Sequence, residues 1–164
     1  MSQTYIFKFW GNLNTELSTQ EITTIKFLLG EGPNKPKIFP NHSFFSNSSE
    51  IYPLKLSYEN FPKGSYAFDF WAEKDNSKKL IKYAINLCIP SLKLEEIYEY
   101  YLPMVTWLAA QSISSGYVGS FSLEEEEDFE PMLLFIYKNS IYLGNENSAC
   151  SFTSGKEISF KELF

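Results

Sequence analysis

Arginine is absent from this chain of 164 residues, and all 14 of its basic residues are lysines. Arginine is the usual residue for two-pronged contacts with phosphate and for recognition of guanine. The lysines are outnumbered by 20 acidic residues, so the formal net charge is −6 at pH 7. Because proteins that bind nucleic acids concentrate positive charge on one face, this composition argues against a nucleic-acid partner.

Cysteine and long apolar runs are also scarce. Cys88 and Cys150 are the only cysteines, and their spacing matches neither a metal site nor a redox motif. We therefore expect two unpaired thiols, no structural metal and no cofactor, in a reducing compartment. The segment MSQTYIFKFWGN lacks the pattern of a secretory signal, and no apolar run approaches the roughly 20 residues of a membrane helix. These features predict a cytoplasmic protein without a membrane partner.

Aromatic residues are abundant, with 15 Phe and 11 Tyr in a chain that is 44% hydrophobic. This is enough apolar material for a single domain spanning residues 1–164 with one core. The apolar phase of the predicted elements assigns the following residues to that core: Phe7, Phe9, Ile25, Leu28, Phe68, Phe70, Leu102, Leu108, Leu133 and Phe135.

Capping signals and periodicity predict two helices. The first begins at Ser18, which is followed three residues later by the glutamate of a capping box, and it ends at Gly30. The second occupies residues 92–114, with Leu94 and Tyr98 on its apolar stripe. The proline at position 103 should split or kink it, and it ends at Gly116. Residues 79–89 fit either a helix face or a buried strand that ends at the following proline.

The remaining pattern predicts strands joined by short turns. Residues 51–58 and 65–73 are expected to pair as a hairpin, with Pro53 making the first of them an edge strand. Further strands are predicted at 4–10, 117–123, 132–137, 141–143, 150–153 and 157–160, with a bulge at Gly119. This order predicts an α+β fold, with a single mostly antiparallel sheet and two or three helices packed on one face.

No combination of residues indicates nucleophilic catalysis. His42 is the only histidine and falls in a polar loop, where a solvated side chain is usual. The two cysteines lie in apolar segments typical of inert core thiols, and no G-x-S-x-G motif is present. The alternative is a small carboxylate-dependent, hydrolase-like enzyme using Asp69, since burial would raise the pKa of that carboxyl group. Strand alternation instead places Asp69 beside Trp71, on the face expected to meet solvent or a partner.

An acidic segment at residues 124–130 holds six of the 20 acids, and the remaining 14 acids equal the 14 lysines in number. A solvated loop, a docking surface and a calcium site are all compatible with it. Calcium is the weakest of these, because the alternating ligand spacing of an EF-hand is missing. The flanking aromatic residues favour docking. The predicted partner-binding residues are Tyr117, Phe121, Glu124, Glu125, Glu126, Glu127, Asp128, Phe129 and Glu130.

These features together predict a non-catalytic domain that binds a basic protein. Negative potential on such a domain would speed its encounter with a positively charged partner. Immunity proteins, which neutralise bacterial toxins such as the nuclease effectors of contact-dependent inhibition systems, are broadly similar in size and charge. The similarity is one of class and is carried by no motif.

Overall fold

A computed structural model describes residues 3–32, 35–46, 51–126 and 129–163. Within these ranges the chain forms one eight-stranded antiparallel sheet with the strand order β2-β3-β1-β4-β5-β6-β7-β8. The strands are β1 (Tyr5–Leu13), β2 (Ala67–Lys74), β3 (Leu80–Leu92), β4 (Gly116–Leu123), β5 (Met132–Tyr137), β6 (Ser140–Gly144), β7 (Ser148–Ser151) and β8 (Glu157–Ser159). The helices are α1 (Thr19–Leu28), α2 (Leu94–Glu96), α3 (Leu102–Ala110) and α4 (Phe160–Leu163). The predicted α+β class with a single antiparallel sheet is confirmed.

Strand β1 lies inside the sheet, between β3 and β4. Its alternation is as predicted, because Phe7, Phe9 and Leu13 are fully buried on one face. Lys8 and Trp10 point to the other face and are exposed. Buried residues of α1 and α3 belong to the same hydrophobic cluster as the buried face of β1. We call this side of the sheet the core face and the other side the open face.

Gly119 allows β1 and β4 to approach each other closely. The register between β4 and β5 shifts at this residue, which confirms the bulge expected there. A Cβ atom on Gly119 would collide with the backbone carbonyl of Lys8 in the neighbouring strand. Glycine is therefore needed at this position for β4 to pair with β1.

Helix α1 has the predicted boundaries. The Ser18 Oγ accepts from the Glu21 N–H at 3.0 Å, and the Glu21 Oε1 accepts from the Ser18 N–H at 2.9 Å. At the other end Gly30 has a φ of 76°, which glycine adopts without strain. The N–H groups of Gly30 and Glu31 donate to the carbonyls of Phe27 and Lys26, as in a Schellman motif.

The predicted hairpin of residues 51–58 with 65–73 is wrong. Leu54–Tyr58 is a 3₁₀ helix, and β2 pairs instead with β3. Leu54 and Tyr58 are buried, whereas Leu56, which a strand would place on the same face, is 60% exposed. The Tyr58 hydroxyl donates to the Pro90 carbonyl at 2.8 Å and ties this turn to β3.

The ambiguous residues 79–89 are a strand, and β3 continues to Leu92. The strand passes through Pro90 because its register against β1 shifts there, where Tyr5 faces Leu92 and Phe7 faces Ile89. A proline, which has no N–H to donate, is tolerated at such a bulge.

The second predicted helix is shorter than expected. Helix α2 leads through a π-helical turn, Ile97–Tyr101, into α3, which ends at Ala110. The wide turn precedes Pro103, so the helix accommodates this proline without the break it would otherwise cause. Gly116 is not the helix terminator but the first residue of β4. At the end of α3, the Ala109 carbonyl accepts a hydrogen bond from the Asn139 Nδ2 at 3.2 Å.

The predicted core is right except on β5. Leu133 is only partly buried, and Phe135 belongs to a separate small cluster with Tyr142, Ala149 and Ile158. Leu134 and Ile136 take the core face instead. Both faces of β5 are covered, so its sequence is a continuous apolar run without an alternation from which to read the register.

Replacement of Phe70 by alanine should lower the free energy of unfolding by about 3–5 kcal/mol. Phe70 is buried and stacks on Tyr83 at a centroid distance of 5.5 Å, so truncation leaves a cavity. Asp69→Ala, on the exposed face of the same strand, is the control and should stay within about 0.5 kcal/mol of the wild type. Urea denaturation measures both, and equal losses would contradict the assigned register of β2.

Gly119→Ala should destabilise the protein by more than about 2 kcal/mol, because the added methyl group separates β4 from β1. Gly64→Ala is the matched control, since Gly64 also has a positive φ, of 88°, but no atom lies within 4 Å of the place that a Cβ would occupy. The same denaturation experiment compares the two variants. A loss at Gly119 no greater than that at Gly64 would contradict the close approach of the strands.

Candidate functional site

A groove of about 680 Å³ opens at one end of the sheet, between helix α2 with its π-helical turn and strands β4–β7. Its exposed walls include Leu94 and Tyr98 on the helical side and Phe129 and Met132 near the start of β5, and the buried Phe121 forms its base. This volume is within the range of sites that hold small ligands. We refer to this feature as the groove.

The base of the groove is part of the hydrophobic core. Phe121 is buried and stacks on Phe7 of β1, with 6.4 Å between ring centroids and 20° between planes. Tyr98 meets Phe121 edge-on at 5.9 Å and 84°. Because Phe121 packs against these two rings, the base of the groove is fixed in the free protein.

The walls expose apolar side chains. The exposed fractions are 40% for Leu94, 40% for Tyr98, 59% for Phe129 and 36% for Met132. Single exposed apolar residues are ordinary on protein surfaces, whereas several that meet in one concave site are typical of interaction surfaces. The groove is therefore the best candidate for a binding site at this end of the sheet.

The described members of the acidic segment differ in position and role. Glu130 lines the groove, whereas Glu125 and Glu126 line a smaller neighbouring depression that shares Leu123 with it. We call these three carboxylates the acidic rim. Glu124 accepts a hydrogen bond from the Ser91 N–H, and its own N–H donates to the Thr4 carbonyl at 3.1 Å. It thereby holds together three strand ends. Glu125, Glu126 and Glu130 are exposed, and Glu130 also lines the groove. The predicted residues Glu127 and Asp128 lie outside the described residues.

Tyr117 is separated from the other predicted partner-binding residues. It lies on the open face, where it packs edge-on against Trp10 at 5.1 Å and 83°. Phe121, farther along the same strand, faces the core. The bulge at Gly119 and the alternation of β4 place the two aromatic residues on opposite sides of the sheet.

Further carboxylates are close in sequence to residues that line the groove. Glu95 and Glu96 are exposed on α2 beside Leu94, and Glu146 is exposed in the turn between β6 and β7. Lys93 stands next to the α2 carboxylates as a positive charge. Lysines are more frequent around the β2–β3 turn, at the opposite end of the sheet, where Lys74, Lys78 and Lys79 are exposed. The charge of the described surface is therefore uneven, with the groove at its negative end.

Two residues of the groove, Leu94 and Tyr98, are missing from the partner-binding residues that the sequence predicts. Their spacing of four residues instead predicts that both belong to the buried stripe of a helix. The helix begins at Leu94, and both side chains are 40% exposed and line the groove. Periodicity identifies an apolar face, but it does not show where the neighbouring element stops.

The open face carries a second, shallower depression of about 550 Å³, bordered by Trp10, Trp71 and Tyr117. Asp69 is exposed on this face and pairs in register with Asn86. It is not among the residues that border the depression. Asp69 therefore lacks the burial that the hydrolase-like alternative requires.

His42 has a local structural role. Its Nδ1 accepts from the Phe44 N–H at 3.1 Å and caps the 3₁₀ helix Ser43–Phe45. Partial burial lowers the pKa of this histidine. Among the described residues no group of three or more His, Cys, Asp or Glu side chains is placed to hold a metal ion, and no described helix is long and apolar enough to cross a membrane.

No family model, curated protein or solved structure matches the chain. The groove, its rim and the distribution of charge around them are therefore the features from which a function can be inferred.

The two cysteines are unpaired, as expected, but they do not lie in the core. Cys150 is exposed at the groove, and Cys88 is partly buried on the open face. The interpretation of both as core thiols is therefore wrong, since Cys150 is exposed and Cys88 is only partly buried. The neighbour of Cys150, Ala149, is buried in the small cluster of β5–β8, but the alternation of β7 directs Cys150 to the other face, at the groove.

Cys150 should react with Ellman's reagent at least about tenfold faster than Cys88 at pH 8. Cys150 is exposed, whereas burial raises the pKa of the Cys88 thiol and lowers its thiolate fraction. The single variants Cys88→Ser and Cys150→Ser assign each rate to one thiol. Equal rates, or a faster Cys88, would contradict the exposure of the groove.

Proposed function

We propose that this chain is a non-catalytic protein-binding domain whose partner is a basic protein that docks on the groove and its acidic rim. The observation that carries the proposal is that half-exposed apolar side chains, such as Tyr98 and Phe129, line one groove together with Glu130, while Glu125 and Glu126 line the neighbouring depression. Protein interfaces combine apolar anchors at the centre with charged residues at the rim that steer association.

Electrostatic cost also supports a basic partner. Like charges placed close together repel one another and destabilise the free protein. Glu124 has a structural partner in the Ser91 N–H, whereas Glu125, Glu126 and Glu130 are exposed to solvent. A positively charged partner would offset the repulsion among these carboxylates and would be attracted from a distance.

In its specific form, the proposal is an immunity protein that covers the active site of a basic toxin, such as a nuclease effector of contact-dependent inhibition. A nuclease binds a polyanion and so presents positive charge around its active site. A domain with net charge −6 and a negative end could compete for that site. The two unpaired thiols fit action in a reducing compartment, so the proposed location is the cytoplasm.

Neutralising the exposed rim should weaken capture of the partner without affecting folding. The test variant carries Glu125→Gln, Glu126→Gln and Glu130→Gln, and it retains Glu124 because that side chain holds strand ends together. A control variant removes the same charge elsewhere through Glu16→Gln, Glu31→Gln and Asp69→Asn, all at exposed positions. Both variants should unfold at the wild-type urea concentration.

The measurement is capture of proteins from the source cells, followed by stopped-flow association with the purified partner. We expect a partner with an isoelectric point above about 9, as for other proteins that bind polyanions. Its association rate should fall roughly tenfold or more with the rim variant but not with the control, and the wild-type rate should fall steeply with salt. A partner that binds the rim variant at the wild-type rate, with the same salt dependence, would refute the proposal.

A further inference from the structure

The interior of the groove differs chemically from its rim. The described residues that line it are mainly apolar and include Leu94, Tyr98, Phe121 and Met132, and Glu130 is the one charged residue among them. The carboxylates of Glu125, Glu126 and Glu95 stand outside this set. The lysine and arginine head groups of a basic partner would therefore lie at the rim, close to the carboxylates. Deeper in the groove they would lose hydration without compensation.

The apolar surface of the groove must then be covered by a part of the partner other than its charged head groups. Leu94, Tyr98 and Met132 are each more than a third exposed, and burial of such surface is favourable in proportion to its area. The base at Phe121 stacks on the core ring of Phe7, so little reorganisation of the base is needed when the groove is filled. A preorganised apolar groove favours an apolar side chain as its occupant.

We infer that the groove binds a short basic segment of the partner protein by inserting one or two of its apolar side chains, while lysines or arginines on either side face the rim. The inference rests on the proposed function, because it names the element of the basic partner that this site recognises. A volume of about 680 Å³ is enough for a few side chains. The occupant combines a large apolar side chain with flanking positive charge.

The two parts of the site have separable kinetic roles. Long-range attraction by the rim raises the association rate and depends on salt, whereas contacts formed inside the groove slow dissociation. Polylysine, which has no apolar side chain to insert, should therefore bind weakly and dissociate rapidly. A segment with both features should dissociate more slowly at any salt concentration.

The experiment uses two synthetic peptides of equal charge. Each has three lysines on either side of a central pair, which is Phe-Leu in the first peptide and Ser-Ser in the second. The Phe-Leu peptide should bind the whole chain at least about tenfold more tightly, as expected when an apolar side chain is buried. It should also slow modification of Cys150, which lines the groove, without slowing that of Cys88 on the open face.

Variants locate the difference within the groove. Tyr98→Ser and Met132→Ser should abolish the preference for the Phe-Leu peptide, whereas Trp71→Ser, which alters an exposed aromatic residue on the open face, should preserve it. Each variant is first checked by urea denaturation. If one of them does not fold, the protection of Cys150 in the wild-type chain provides an independent result.

The possible outcomes separate this inference from the proposed function. Equal affinity for the two peptides, or equal protection of the two cysteines, would overturn the inference while leaving attraction of basic proteins intact. Failure of both peptides to bind at low salt would overturn the inference and count against a basic partner as well. Preference for the Phe-Leu peptide, with protection of Cys150 alone, would support both.

Discussion

The packing of Phe7 is the contact on which the other features of this structure depend. Its ring lies 5.9 Å from that of Tyr101 in the π-helical turn and 6.4 Å from that of Phe121 in β4. It thereby joins the inner strand, the helix that covers the core face and the next strand of the sheet. Aromatic rings bury large areas and prefer defined relative orientations, so such a contact fixes how the three elements sit against one another.

The groove is a consequence of the same packing. Phe121 contacts both Phe7 and Tyr98, and Leu94, where the helix begins, is exposed in the groove. The core thus continues outward as an uncovered apolar surface. Glu124 ties the end of β4 to its neighbours, and this positions the adjoining carboxylates beside that surface. Acidity and apolar character therefore coincide at one end of the sheet.

Local signals in the sequence predict those parts of the fold that depend on near neighbours. The capping box at Ser18 and the Schellman turn at Gly30 involve only contacts within a few residues, and both are found. The prediction for residues 51–58 is wrong because their apolar spacing suits two structures, and only the contact of Tyr58 with the distant Pro90 distinguishes them. For the site, the acidic segment is visible as a run of charge, while the spacing of Leu94 and Tyr98 indicates a core position that they do not have.

Residue type and short-range spacing are sufficient to establish the class of fold, the alternation of β1, the start and end of α1 and the presence of a concentrated negative charge. Three other properties arise only when the chain is folded: β3 continues past Pro90, Phe135 faces away from the main core, and Tyr117 lies across the sheet from Phe121. Each of these depends on which surfaces are covered by elements distant in sequence, and a one-residue shift of register moves a side chain to the other face.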